Sequence, residues 1–251
     1  MGLPIVFVMG CQRTGSTLMS MILGSHPYLE NRGDVDLPEI MSGGLSRGDV
    51  LHSVIWTARY KLISQTYPDA KFVFMLRNIY AVVNSMMELG WADHFAISEV
   101  ARAILGISNW YNQYSIIPYL GKACHNNDIL KIATMCAYLK SYMLREYHEH
   151  GLDVYPIRYE ELVSSPTITT KALSDFLGIE WHEDLLAHHR IYKDAPAYAG
   201  NDPKRPIDEA SVDKWRSVLS NEQRETISVT VEEMDDIFYG FAHSHDLAKV
   251  S

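Results

Sequence analysis

Cysteine is scarce in this chain: Cys11, Cys124 and Cys136 are the only three, widely spaced and without a C-x-x-C pair. An odd number so placed excludes a disulfide framework and a cysteine-type zinc site, and points to free thiols in a reducing compartment. Basic charge is in deficit as well. The chain has 22 Lys and Arg against 31 Asp and Glu, for a formal net charge of −9, so the broad basic field that nucleic-acid surfaces need is excluded. Long apolar runs are missing too. The first, Pro4 to Met9, is too short to span a bilayer, and no basic-then-apolar leader precedes it. The expectation is a soluble, cytoplasmic protein with neither nucleic-acid nor membrane partners.

What is present suffices for a large core. Of the 251 residues 47% are hydrophobic, and the 11% that are aromatic argue against disorder. Ile5 to Met9 and Lys71 to Leu76 are short continuous apolar runs of the kind that form buried parallel strands. Asp153 to Tyr159 is a third strand, with Pro156 placing it at an irregular or edge position. Helical spacing covers 16–23, 50–67, 79–89, 97–119, 133–150, 167–177, 212–219 and 221–241. Strands alternating with longer helices predict a helix-rich α/β fold, a central parallel sheet flanked by helices, in one domain over residues 1–251. The stretch "APAYAGNDPKRPID", Ala195 to Asp208, is the clearest long loop, and such loops often cover ligands.

Within "GCQRTGSTLM", Gly10 to Thr17 has the glycine spacing of a phosphate-binding P-loop, G-x-x-x-x-G-K-[ST], with Ser16 where the lysine would stand. A strand that enters a helix through such a turn aims backbone N–H groups and the positive helix end at one anion. Ser16 and Thr17 add hydroxyls there, and Arg13 adds a planar cationic fork. A triphosphatase also needs a second strand ending in a magnesium-holding aspartate; here "KFVFML" ends in Arg77, a second cation.

With that pair of cations the chain resembles the sulfotransferases. "GCQRTGSTLM" resembles their 5′-phosphosulfate loop, R/K-S-G-T-T-L. "KFVFMLRNIYAVVNS" resembles their 3′-phosphate motif, an arginine closing a strand with a serine eight positions on. "VYPIRYEELVSSPTITTKALSDFLGIEW" and "RPIDEASVDKWRSVLS" resemble two later segments, and all four occur in the family's order. The resemblance implies a P-loop NTPase-like sulfotransferase fold. It also implies transfer of the sulfuryl group of 3′-phosphoadenosine 5′-phosphosulfate (PAPS, leaving PAP) to a hydroxyl or amine of a small-molecule acceptor, without a metal. It assigns Gln12, Arg13, Thr14, Gly15, Ser16 and Thr17 to the phosphosulfate and Arg77 and Ser85 to the 3′-phosphate. Tyr159, Arg205, Ser211, Lys214 and Arg216 fall to the rest of the nucleotide, and Trp215 to packing. Ile79 and Ala81 depart from the proline and acidic residue common in the second motif.

Arg13 is the candidate for the bridging oxygen and leaving phosphate, assisted by Ser85 and the loop hydroxyls. Resemblance to the tyrosylprotein and bacterial small-molecule members places the acidic base at Asp34, with Asp36 and Glu39 as alternatives. His52 is a further option, read as a satisfied histidine in a helix. The acidic cluster would tolerate a cationic acceptor. A P-loop small-molecule kinase and a non-catalytic nucleotide-binding protein are the competing readings.

Overall fold

In the computed structural model, which describes residues 2–91, 94–197 and 200–239, the chain divides into two compact units. The first is the chain up to Leu76 together with Tyr147–Glu209, and the second is Arg77–Glu146 together with the chain from Ala210 on.

The first unit holds the sheet. Its strands are β1 (Val6–Gly10), β2 (Glu30–Asp34), β3 (Asp49–His52), β4 (Lys71–Leu76) and β5 (Val154–Arg158), all parallel, in the order β2-β3-β1-β4-β5. β1 lies in the centre and is buried on both faces, hence its unbroken apolar run. β5 is an edge strand, where Pro156 removes no needed ladder donor. Helices α1 (Ser16–Leu23), α2 (Leu37–Met41) and α3 (Tyr60–Thr66) follow the early strands. On one face of the sheet Val6, Val8, Val73 and Met75 pack with Met19, Ile22 and Leu23 of α1. On the other, Phe7 meets Tyr67 and Phe72, and Tyr147 packs against Phe72 and Phe74.

The expected helix over 50–67 is three elements: β3, a 3-10 turn at Val54–Arg59, and α3. Val50 and Leu51 pair with Val6 and Phe7 in the sheet. A two-residue apolar run carries no period that separates strand from helix.

In the second unit the helices are α4 (Ile79–Glu88), α5 (His94–Gly106), α6 (Trp110–His125) and α7 (Ile129–Glu149), whose last turn belongs to the first unit. The single helix expected over 97–119 is broken at Asn109, whose side chain accepts from the Asn112 N–H (3.2 Å) and caps α6. Lys140 of α7 and Glu99 of α5 are both fully buried and paired at 2.6 Å, and Arg102 also bonds Glu99.

The first unit is completed by α8 (Tyr159–Ser164), α9 (Pro166–Leu177) and α10 (His188–Ile191), and the second by α11 (Lys214–Val218) and α12 (Asn221–Tyr239). Tyr138 of α7 donates to Asp235 of α12 at 2.7 Å. No helix among the described residues is long and apolar enough to cross a membrane.

His188 adds a pH dependence to this stability. Burial, reinforced by His189, pushes its imidazole down to about 4 from the ordinary 6.5. The unfolded chain therefore binds a proton that the folded chain refuses between those values. This pH-dependent penalty is absent well above pH 6.5, and as pH falls toward 4 the fold loses about 3 kcal/mol. Urea unfolding from pH 7.5 to 4 shows this slope, and His188→Leu removes its share.

Candidate active site

Three strand ends and one helix start build the site in the first unit. β1 ends at Gly10, whose φ of +124° leaves no room for a side chain: a Cβ there would stand 2.4 Å from the Met75 carbonyl oxygen of β4. The Gly10 N–H donates to Thr57 Oγ1 (3.1 Å), and the single proton of that buried hydroxyl serves the Gly10 and Val54 carbonyls, each 2.9 Å away. The turn then passes through Arg13 (φ +71°) and Gly15 (φ +88°), both left-handed. The Thr14 hydroxyl donates to the Cys11 carbonyl (2.6 Å) and closes the turn. The ring of Tyr159 lies where a Gly15 side chain would be, at 2.4 Å.

Helix α1 is therefore preceded by a residue without a side chain, has no side-chain cap, and carries no acidic residue in its first turn. By contrast, α2 and α4 are capped by the side chains of Asp36 and Asn78. The positive end of α1 thus has no side-chain cap, and anions at such an end gain ~0.3–1 kcal/mol, up to ~2 when partly buried. This end fits a phosphate or phosphosulfate.

Beside it runs a line of polar groups. β2 and β3 are neighbours, and their register sets Asp34 opposite His52. His52 Nδ1 is 2.6 Å from Asp34 Oδ1, and His52 Nε2 is 2.8 Å from Ser16 Oγ. The ring is largely enclosed, with its side chain 13% exposed against 58% for Asp34. An ionised carboxylate only accepts, so Nδ1 donates to Asp34, and whenever the ring is neutral Nε2 presents a lone pair. Ser16 is then the donor to Nε2. The sequence pattern keeps His52 as an option for the base but places it in a helix. It ends β3 at the carboxyl edge of the sheet, where α/β ligand sites form. Taking "DVLH" as a strand would have found it.

The other acidic candidates have partners of their own. Asp36 accepts from the Glu39 N–H (2.8 Å) as the cap of α2. Glu39 pairs with Arg32 at 3.2 Å, and Arg32 also reaches Asp49 at 3.2 Å. Glu39 and Asp49 thus share one cation, while Asp36 accepts only a backbone N–H. His182, in the stretch "WHEDLLAHH", caps the following turn by accepting from the Asp184 N–H (3.3 Å). Arg205 is held by Asp208, which drives its guanidinium still further toward the charged form.

The second unit carries further candidates of its own. Arg77 directly follows β4 and donates through Nη2 to the Ser211 carbonyl at 2.6 Å. Ser85 is half-buried on α4. Lys214 of α11 pairs with Glu88 of α4 at 2.8 Å, and Trp215 stacks on Tyr80 with centroids 4.7 Å apart. Arg216 lies over the Trp215 ring and pairs with Asp213 at 2.7 Å. Two segments distant in sequence are thus drawn together, with Trp215 buried as packing.

A family model described as "Sulfotransferase family" matches residues 52–183, more than half of the chain. A Caenorhabditis briggsae protein named as a protein-tyrosine sulfotransferase is 20% identical over 274 aligned residues, covering 93% of this chain and 85% of that one. The sulfotransferase domain of the Synechococcus PCC 7002 olefin synthase superposes with a TM-score of 0.58 at 16% identity, over 91% of this chain and 95% of that one. Mouse sulfotransferase SULT7A1, solved in complex with PAP, superposes with a TM-score of 0.57 at 12% identity, over 98% and 87%. At these identities the two solved structures share the fold.

Proposed function

The chain belongs to the sulfotransferase family, and from that premise we propose that it moves a sulfuryl group from PAPS to a hydroxyl or amine of a small-molecule acceptor. PAPS supplies the sulfuryl group, whose sulfur bonds the acceptor oxygen or nitrogen as its bond to the bridging phosphate oxygen breaks. The observation that carries the reading is the hydrogen-bonded line Asp34–His52–Ser16, ending at the uncapped start of α1.

In this reading the α1 N–H groups, Gln12, Thr14, Gly15, Ser16 and Thr17 hold the phosphosulfate end. Arg13 faces the charge that develops on the leaving phosphate, where one well-aimed donor is worth ~2.7–4 kcal/mol. His52 takes the acceptor proton on Nε2, since imidazole is the side chain suited to this near neutral pH. Asp34 fixes the tautomer and the ring angle, and so becomes a positioning residue rather than the base. Arg77 and Ser85 are assigned to the 3′-phosphate, and Tyr159, Arg205, Ser211, Lys214 and Arg216 to the remaining nucleotide.

The test is incubation with sulfur-labelled PAPS or ATP and a panel of alcohols, phenols and amines, with and without magnesium. Label transfer from PAPS in a chelator is expected. Magnesium-dependent phosphate transfer from ATP would make the chain a kinase, and PAP binding with no turnover on any acceptor would make it a binding protein. Arg77→Ala is expected to weaken PAP binding about 10-fold or more by calorimetry, the loss of a charge-assisted bond.

A further inference from the structure

Ser16 has one hydroxyl proton and two claims upon it. His52 Nε2, 2.8 Å away, is a lone pair whenever the ring is neutral, because Nδ1 then keeps the ring's one proton and donates a hydrogen bond to Asp34. The oxygens of a phosphosulfate also only accept. A hydroxyl can receive several hydrogen bonds but donate only one. Ser16 is moreover buried at the first position of α1, where water cannot readily take over either role.

We infer that Ser16 is a donor-sensing gate on the base: its proton rests on the imidazole until a phosphosulfate claims it, and His52 Nε2 is then released to accept a proton from the acceptor. An acceptor that arrives first meets a base already hydrogen-bonded. The gate also explains the residue type. A lysine in this position, as in triphosphatase loops, has three protons and no contest, whereas a hydroxyl has one. The inference rests on the donor reading above and deepens it, since it assigns the proton bookkeeping of the same loop.

The contest has a signature that a structural role lacks: removing the base tightens the donor site. With PAP as the probe, calorimetry at pH 8, above the ordinary histidine range, compares wild type, His52→Leu, Ser16→Ala and the double variant. His52→Leu frees the Ser16 proton and is expected to bind PAP roughly 2- to 12-fold more tightly than wild type, the worth of one net hydrogen bond. In the Ser16→Ala background the same substitution is expected to change nothing, so the two sites fail to add. Ser16→Ala alone supplies the reference affinity against which that second comparison is read.

Unchanged or weaker binding by His52→Leu would overturn the gate, as would an equal gain in the Ser16→Ala background. The first result would mean that Ser16 serves both partners at once, through a protonated ring. A second measurement needs no variant: the Nε2 nitrogen resonance of His52 in wild type is expected to move toward its unbonded position as PAP saturates the protein, and a resonance that stays put also overturns the gate. Failure of the donor reading looks different. PAP then does not bind wild type at all, and the gate falls with it; PAP binding without the Ser16-dependent gain removes the gate alone.

Discussion

His52→Ala lowers kcat by about 10²–10⁴-fold, the usual contribution of a positioned acid–base group, while the fold and PAP binding persist. Asp34→Asn gives a smaller loss, about 10-fold. The difference follows from where each side chain sits. His52 reaches the anion loop with its Nε2, whereas Asp34 reaches only the far side of the ring and is more than half exposed. Water can stand in for part of a solvated carboxylate, but not for an enclosed imidazole. The pH profile separates the roles: the wild-type limb that reports the base disappears in His52→Ala and is retained, displaced, in Asp34→Asn. If Asp34→Asn proves the more damaging, the carboxylate is the base and His52 supports it.

Gly10→Ala unfolds the first unit at lower denaturant, with a loss of roughly 3–5 kcal/mol. Two costs add. The φ of +124° is one that L-residues rarely adopt, and the new methyl would lie 2.4 Å from the Met75 carbonyl oxygen. That oxygen is backbone, held in the ladder between β1 and β4, so it cannot turn aside as a side chain would. Gly15→Ala is the instructive contrast. Its φ of +88° carries a similar backbone cost, but its methyl meets the buried Tyr159 ring rather than backbone, so stability and PAP affinity are both expected to fall. Urea midpoints and PAP titration on both variants check the pair.

The centre of the fold was legible because it is apolar. β1 and β4 are continuous hydrophobic runs, and α1 begins and ends at glycines, so strand, loop and helix emerged together. The margin was not. β2 reads "ENRGD", a polar strand at the sheet edge, and only its partner β3 makes it a strand at all. Without β2 Asp34 is only one member of an acidic cluster, and without β3 His52 falls on a helix. Each residue was named as a candidate, yet the contact between them could not be seen, because it depends on the register of two strands that local pattern does not reveal. The anion loop needed no such register, since its residues are consecutive.

The irregularity in β2 has a consequence for how such a site can change over generations. Pairing with β3 slips between Asn31 and Gly33, and Gly33 takes a left-handed φ of +66°. The slip brings Asp34, rather than a neighbour, level with His52. Edge strands tolerate length changes better than central ones, and β2 lends the core little. Losing or gaining one residue there would exchange the carboxylate behind the imidazole for another side chain, with the donor loop undisturbed. Base strength and donor grip are thereby inherited as separable traits, one written at the rim of the sheet and the other at its centre.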